Sequence, residues 1–386
     1  MATNFNNGDS LFNFVVKDGN GVKGLVDLGL TEVPCRYIQP PHHRINNQQV
    51  AGSLENVTID LSELDGPNHD QVVRSIVHAS ETLGFFQVVN HAPSLISIDP
   101  LPLKLVALAI SFSITLKLLD SLKLAAHEFF GQPAEKKAVY LNGVSPSPLV
   151  KYGTSFVPYI EKVLEWKDYI SMTYTNDADA HEFWPNDLTE VVLEYIKTSS
   201  EMVQKLLQTL IGNLGVKVDD SRFHELTGRT LVNMNFYPPC PNPDLTVGVG
   251  RHSDAGMLTV LLQDGIGGLY VKKGECADSP GDDEVWIEIP PVHGALVINI
   301  GDALQILSNG RYISAEHRVR TTDIESRVSV PIFNAPLPEA KIGPFAEVVA
   351  RDGVARYKEV TFEEYTKSYL KKTLDGKKSL EFASVI

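Results

Sequence analysis

The run TVGVGRHSDAGMLTVLLQD, residues 246–264, decides the architecture. Thr246–Gly250 and Leu258–Leu262 are short apolar runs rich in β-branched residues, and the turn formers Ser253, Asp254 and Gly256 lie between them. That pattern is strand, turn, strand. Gly268–Val271, Val285–Ile289 and Ala295–Ile300 repeat the texture on the C-terminal side, with Gly, Pro and Asp in between. Closely spaced short strands of this kind predict an antiparallel sandwich or barrel.

Outward from this core the texture changes. Asp70–Leu83 carries apolar residues at helical spacing and is stopped by Gly84; Leu119–Phe130 ends at Gly131-Gln132-Pro133, and Leu188–Leu214 ends at Gly215. Val57–Leu61 and Phe85–Val89 read as strands within this mainly helical half, and Lys358–Lys372 reads as a closing helix. The expected organisation is a polar arm over 1–55 with one short helix near 21–28, a helical region over 56–225, a β-rich domain over 226–340, and a C-terminal helix and tail over 341–386. One stretch stands apart: 101–119, LPLKLVALAISFSITLKLL, approaches the length of a membrane span. Lys104, Lys117, Pro100 and Pro102 argue against a span, because a lipid-facing lysine is costly.

With 34 basic and 48 acidic residues the net charge is −14, which argues against a nucleic-acid partner, since phosphate binding needs a concentrated basic surface. Cys35, Cys240 and Cys276 are too few and scattered for a disulfide framework, so the expected setting is reducing and cytoplasmic. The first residues, MATNFNNGD, show no basic start followed by an apolar run, as a signal peptide would.

Chemistry concentrates in His252-Ser253-Asp254. On an extended chain, residues two apart share a face, so an imidazole and a carboxylate converge. His317 follows Asp254 after 62 intervening residues and is the strongest candidate for a third ligand. Two histidines and a carboxylate on one face of a metal suit non-haem Fe(II) oxygenases; the same donors also serve catalytic zinc in hydrolases. Ten residues past His317 stands Arg327-Val328-Ser329. Its guanidinium and hydroxyl share a strand face and suit a bidentate grip on a terminal carboxylate. Upstream, Asn235 and Tyr237 are also two apart, before the extended exit fixed by Pro238 and Pro239.

NMNFYPPCP (233–241), GRHSDAGMLTVLLQD (250–264), VINIGDALQILSNGRYISAEHRV (297–319) and RVSVPIF (327–333) together resemble the plant 2-oxoglutarate- and iron-dependent dioxygenases. That family includes flavonol synthases, gibberellin oxidases and feruloyl-CoA ortho-hydroxylases. KYGTSFVP (151–158), LEWKDYISM (164–172) and VGVGRHSD (247–254) are most similar to the last of these. The resemblance implies an α+β fold: a double-stranded β-helix (a jelly roll, cupin-like) with a helical N-terminal region and a C-terminal helix. It implies Fe(II) held by His252, Asp254 and His317, with 2-oxoglutarate as co-substrate held by Arg327 and Ser329, assisted by Tyr237 and Asn235. O2 is then the oxidant and ascorbate a supporting reductant. Tyr152 and Phe333 match positions that line the family's aromatic-substrate cavity. The implied reaction is ortho-hydroxylation of feruloyl-CoA by a monomer on the way to coumarins such as scopoletin; the alternatives are a flavonoid, coumarin or hormone acceptor, or a non-catalytic ligand-binding jelly roll. The sequence departs from the family pattern at about 93–118, where some 25 extra residues separate Ala92 from the helix at Leu119.

Overall fold

The computed structural model describes residues 8–45, 50–53, 58–91, 114–273, 285–372 and 376–385. Two sheets form its centre. The larger runs Thr58–Asp60, Phe85–Val89, Leu296–Ile300, Leu258–Gln263, Arg327–Ala335, Arg229–Tyr237, Asp168–Tyr174 and Val150–Thr154. The smaller runs Val50–Ser53, Trp286–Glu288, Leu269–Lys272, His317–Val319 and Val249–His252. Neighbours pair antiparallel throughout, except at one edge of each sheet, where Thr58–Asp60 and Val50–Ser53 add in parallel. This is the expected jelly roll.

The period of two along the central strands sorts side chains into two layers. Leu296, Ile298 and Ile300 face the helices, and so do Val328, Val330 and Ile332, and Val232, Met234 and Phe236. The residues between them face the other sheet. Val297 packs there with Phe85, Tyr237, Leu269 and Val271 in a second apolar cluster, and Asn299, Ser329 and Asn235 line a cavity. The strand 296–300 is therefore buried on both faces, which is why it reads as an unbroken apolar run.

The outer layer is helical. Asn186–Asn213 buries Leu188, Val192, Tyr195, Ser199, Met202, Leu206 and Leu210, three or four residues apart, on the face toward the larger sheet. Leu116–Gly131 packs beside it, its first turn capped by Thr115 Oγ1, which accepts from Leu118 N–H at 3.1 Å. The helix His69–Thr82 ends at Gly84, whose φ is +71°. A Cβ there would meet the Ile313 carbonyl oxygen at 1.9 Å. Gly84→Ala is therefore expected to destabilise the protein by about 3 kcal/mol or more, read as a lowered denaturation midpoint, because both the backbone conformation and a close backbone neighbour forbid it.

Four readings change. Residues 8–45 are more than a polar arm: helix Gly8–Phe12, the π-helical turn Asn13–Lys17 and helix Gly21–Asp27 place Leu11, Val15, Val22 and Leu25 in an apolar cluster with Tyr37, Leu164 and Trp166. Asp168 anchors this segment by accepting from Val22 N–H (2.8 Å) and Lys23 N–H (2.9 Å). Val150–Thr154 and Asp168–Tyr174 are strands, extending the larger sheet beyond the expected helical half. The first strand of the opening run begins at Val249, after a turn at Pro243–Leu245. The closing helix starts at Phe362. Most of the apolar stretch 101–119 lies outside the described residues; among those described, no helix is long and apolar enough to cross a membrane.

Candidate metal and oxoacid site

His252 ends its strand and pairs across the smaller sheet with His317, which begins the next one. Asp254 lies two residues past His252, in the turn rather than on the strand. Its backbone is held there by its carbonyl, which accepts from Asp302 N–H at 2.7 Å. His252 Nε2 and His317 Nε2 each lie 3.7 Å from Asp254 Oδ1, and one ligand atom from each of the three groups falls within 4.8 Å of the others.

The surroundings aim these atoms. The His252 and His317 Nδ1 atoms face the carbonyls of Gly250 (2.9 Å) and Ala315 (3.2 Å), which only accept. Each Nδ1 therefore carries the proton, leaving the Nε2 lone pair for a metal. Asp254 Oδ2 accepts from the Thr259 hydroxyl (2.5 Å) and the Asn299 amide (2.8 Å), leaving Oδ1 toward the imidazoles. Burial lowers the pKa of both histidines, His317 to about 4 with the His252 ring contributing. Burial alone would raise Asp254, but the two imidazoles and the Thr259 and Asn299 hydrogen bonds outweigh it and hold the carboxyl below its usual range. The set is thus two neutral imidazoles and one carboxylate at neutral pH, which fits a divalent ion.

Arg327 and Ser329 stand opposite Tyr237 and Asn235 on adjacent strands. Arg327 is 1% exposed and has no carboxylate partner among the described residues. Its Nε donates to the Ile266 carbonyl (3.2 Å), one Nη to Gln263 Oε1 (2.9 Å), and its face lies 5.1 Å from the centre of the Tyr237 ring. The other Nη, buried, has no partner. A guanidinium held this way is short of an anion, and a ligand carboxylate supplies one. Ser329 Oγ accepts from Asn235 Nδ2 at 3.4 Å.

The triad opens into a cavity of about 320 Å³. Asn235, Tyr237, Ser329 and Phe333 line it alongside the three ligands, and the closing helix covers it with Phe362, Tyr369 and Leu370. Tyr152 lies elsewhere: it is 1% exposed and its ring packs on Phe129 and Phe130 in the helical core. Thr259 and Asn299 were not anticipated, although a lone polar residue inside an apolar strand that points inward is a signal for such a role.

Model descriptions for the 2OG-Fe(II) oxygenase superfamily and for the N-terminal region of non-haem dioxygenases of morphine synthesis match residues 229–336 and 58–190. Scopoletin 8-hydroxylase of Arabidopsis thaliana is 56% identical over 383 residues, 99% of each chain. The chain belongs to the 2OG-Fe(II) oxygenase family. It is an oxidoreductase of the dioxygenase class that works with iron and 2-oxoglutarate, as the triad and the unsatisfied Arg327 independently suggest. Feruloyl CoA ortho-hydroxylase 1 of Arabidopsis thaliana is 42% identical over 386 residues, 100% of this dioxygenase and 99% of that relative. The crystal structure of JOX2 in complex with 2OG, Fe and JA superposes with a TM-score of 0.74 at 30% identity, covering 95% and 97% of the two chains.

Proposed function

We propose that this dioxygenase hydroxylates the aromatic ring of a free hydroxycoumarin. His252, Asp254 and His317 hold Fe(II), while Arg327, with Ser329, Tyr237 and Asn235, holds the far carboxylate of 2-oxoglutarate. Bound together, iron and the oxoacid supply O2 activation coupled to decarboxylation. The protein binds and orients both substrates and keeps water from the reaction behind the helix Phe362–Lys372.

The observation that carries the acceptor class is full-length identity of 56% to a scopoletin hydroxylase, against 42–44% to hydroxylases of CoA thioesters. Cavity size agrees: about 320 Å³ accommodates an oxoacid and a compact bicyclic phenol, not a coenzyme. The wall beside the ligands is apolar and aromatic, with Phe156, Leu231 and Phe333 suited to stack on a flat ring.

Feruloyl-CoA is the second reading. Besides those relatives, it is favoured by a groove that shares Glu165 and Leu370 with the cavity and carries Lys162 and Lys371, placed for an anionic tail. Acceptor-dependent succinate formation separates the two. Scopoletin is expected to exceed feruloyl-CoA in kcat/KM by about tenfold or more, equivalent to ~1.4 kcal/mol. The reverse order would transfer the assignment to the thioester.

A further inference from the structure

Glu165 and Lys167, just before the strand Asp168–Tyr174, line the cavity, and neither has a role in the metal or oxoacid site described so far. Trp166 between them points the other way, into the N-terminal cluster, donating its indole N–H to the Pro238 carbonyl at 3.1 Å and meeting Tyr37 edge-on at 5.0 Å. The alternation leaves both charged residues lining the cavity.

The pair is rigidly mounted. Ser155, in the left-handed region at φ +57°, accepts Glu165 N–H on its hydroxyl at 2.8 Å and donates that hydroxyl to Glu161. The Lys167 carbonyl accepts from Ser155 N–H (3.1 Å) and the Thr154 hydroxyl (2.9 Å). Glu165 Oε1 accepts from Gly250 N–H at 2.7 Å, tying the pair to the strand that carries His252. Such an outlier at a ligand cavity, stabilised by several hydrogen bonds, marks a place where position matters.

Lys167 is 6% exposed, yet its ion-pair partner among the described residues is Glu165 alone, at 3.1 Å. An ammonium has three donors, so pairing with one carboxylate oxygen leaves capacity for a further acceptor, and Lys167 lines the cavity where a ligand would supply one. Burial pulls its pKa down, but Glu165 and the nearby Tyr237 overcome this and hold it above the ordinary lysine range. Arg229, the other cation on the described lining, is exposed. Phe156, Leu231, Pro331 and Phe333 make much of the remaining wall apolar, so the Lys167–Glu165 pair is a charged spot within it.

We propose that Lys167, held by Glu165, is a specificity-determining residue that binds the acidic hydroxyl of a phenolic acceptor and sets which ring carbon faces the iron site. This rests on the aromatic acceptor read above and names the ring substituent the cavity selects. An ammonium binds a phenolic oxygen through a charge-assisted hydrogen bond, and the corresponding methyl ether loses both the acidic proton and the room for that contact.

The test compares each acceptor with its methyl ether, in wild type and in Lys167→Met and Lys167→Arg, following KM, kcat and product regiochemistry, with 2-oxoglutarate affinity as a check that the site is intact. Wild type is expected to prefer scopoletin over its methyl ether by about tenfold or more in kcat/KM. Lys167→Met should raise KM for the free phenol and erase that preference while 2-oxoglutarate binding persists; Lys167→Arg should restore part of it. Equal use of phenol and ether by wild type overturns the proposal, whether or not the variants fold. If scopoletin is inert and feruloyl-CoA is turned over, the acceptor assignment fails. The same comparison in the thioester series, feruloyl-CoA against its methyl ether, then decides Lys167, with preference for the phenol upholding the proposal and indifference overturning it. Turnover of neither series overturns both.

Discussion

Asp254→Ala is expected to lower turnover by about 10³-fold or more, ~4 kcal/mol of barrier, and to leave the purified protein without stoichiometric iron. The substitution removes the anionic donor from a set whose other members are neutral imidazoles, so charge neutralisation of the metal is lost along with one bond. It also strands the Thr259 hydroxyl and the Asn299 amide, which both donate to Asp254 Oδ2. Thr259→Val tests the orienting role separately: the ligand remains, with its Oδ2 held by Asn299 alone, and a loss of about 10- to 100-fold in iron affinity or activity is expected. Metal analysis and succinate release measure both. Full activity in Asp254→Ala with iron still bound would remove the triad from the mechanism.

Arg327→Lys is expected to raise the KM for 2-oxoglutarate by about 100-fold or more, because a point charge replaces a fork. The geometry makes this sharp. Nε and one Nη are committed to Ile266 and Gln263, and the face lies against Tyr237, so the unpartnered, buried Nη is the group left for a ligand carboxylate. An ammonium in the same space cannot keep the framework contacts and the ligand contact together. A second consequence runs against intuition. In the absence of the oxoacid, Arg327→Met is expected to be as stable as wild type or more so, since burying a guanidinium without an anion is costly. Thermal denaturation with and without 2-oxoglutarate checks this: the ligand should stabilise wild type and leave Arg327→Met unmoved.

The β-rich half was legible because short β-branched runs are set apart by turn residues, and the period of two along an extended chain predicts which side chains share a face. That period alone puts Arg327 on one face with Ser329 and Tyr237 on one face with Asn235, and the two strands are neighbours that set these pairs opposite each other. The His252-x-Asp254 pair was found for a partly different reason than expected. The strand stops at His252, and Asp254 reaches the site from a turn held by Asp302 N–H. Local pattern could not show that, because the restraint comes from a residue 48 positions away. The strands Val150–Thr154 and Asp168–Tyr174 were missed for a related cause. Lys151, Gly153 and Asp168 blur their strand pattern, and only pairing makes them regular, Asp168–Tyr174 with Arg229–Tyr237 and the edge strand Val150–Thr154 with Asp168–Tyr174. The N-terminal helices hid behind Asn and Gly content, though Leu11, Val15, Val22 and Leu25 carried a helical spacing. Tyr152 shows the opposite error. A family position suggested a cavity residue, whereas the chain folds that ring into the helical core.

The account stands on one metal ion meeting three side chains within reach of an oxoacid gripped by Arg327. Crystals grown without oxygen in Mn(II) and 2-oxoglutarate, with data collected at the manganese edge, test it in a single map. The anomalous peak should touch His252 Nε2, Asp254 Oδ1 and His317 Nε2, with the far carboxylate of the oxoacid on the free edge of Arg327 and on Ser329. A peak elsewhere, or an oxoacid that leaves Arg327 unpaired, would contradict it.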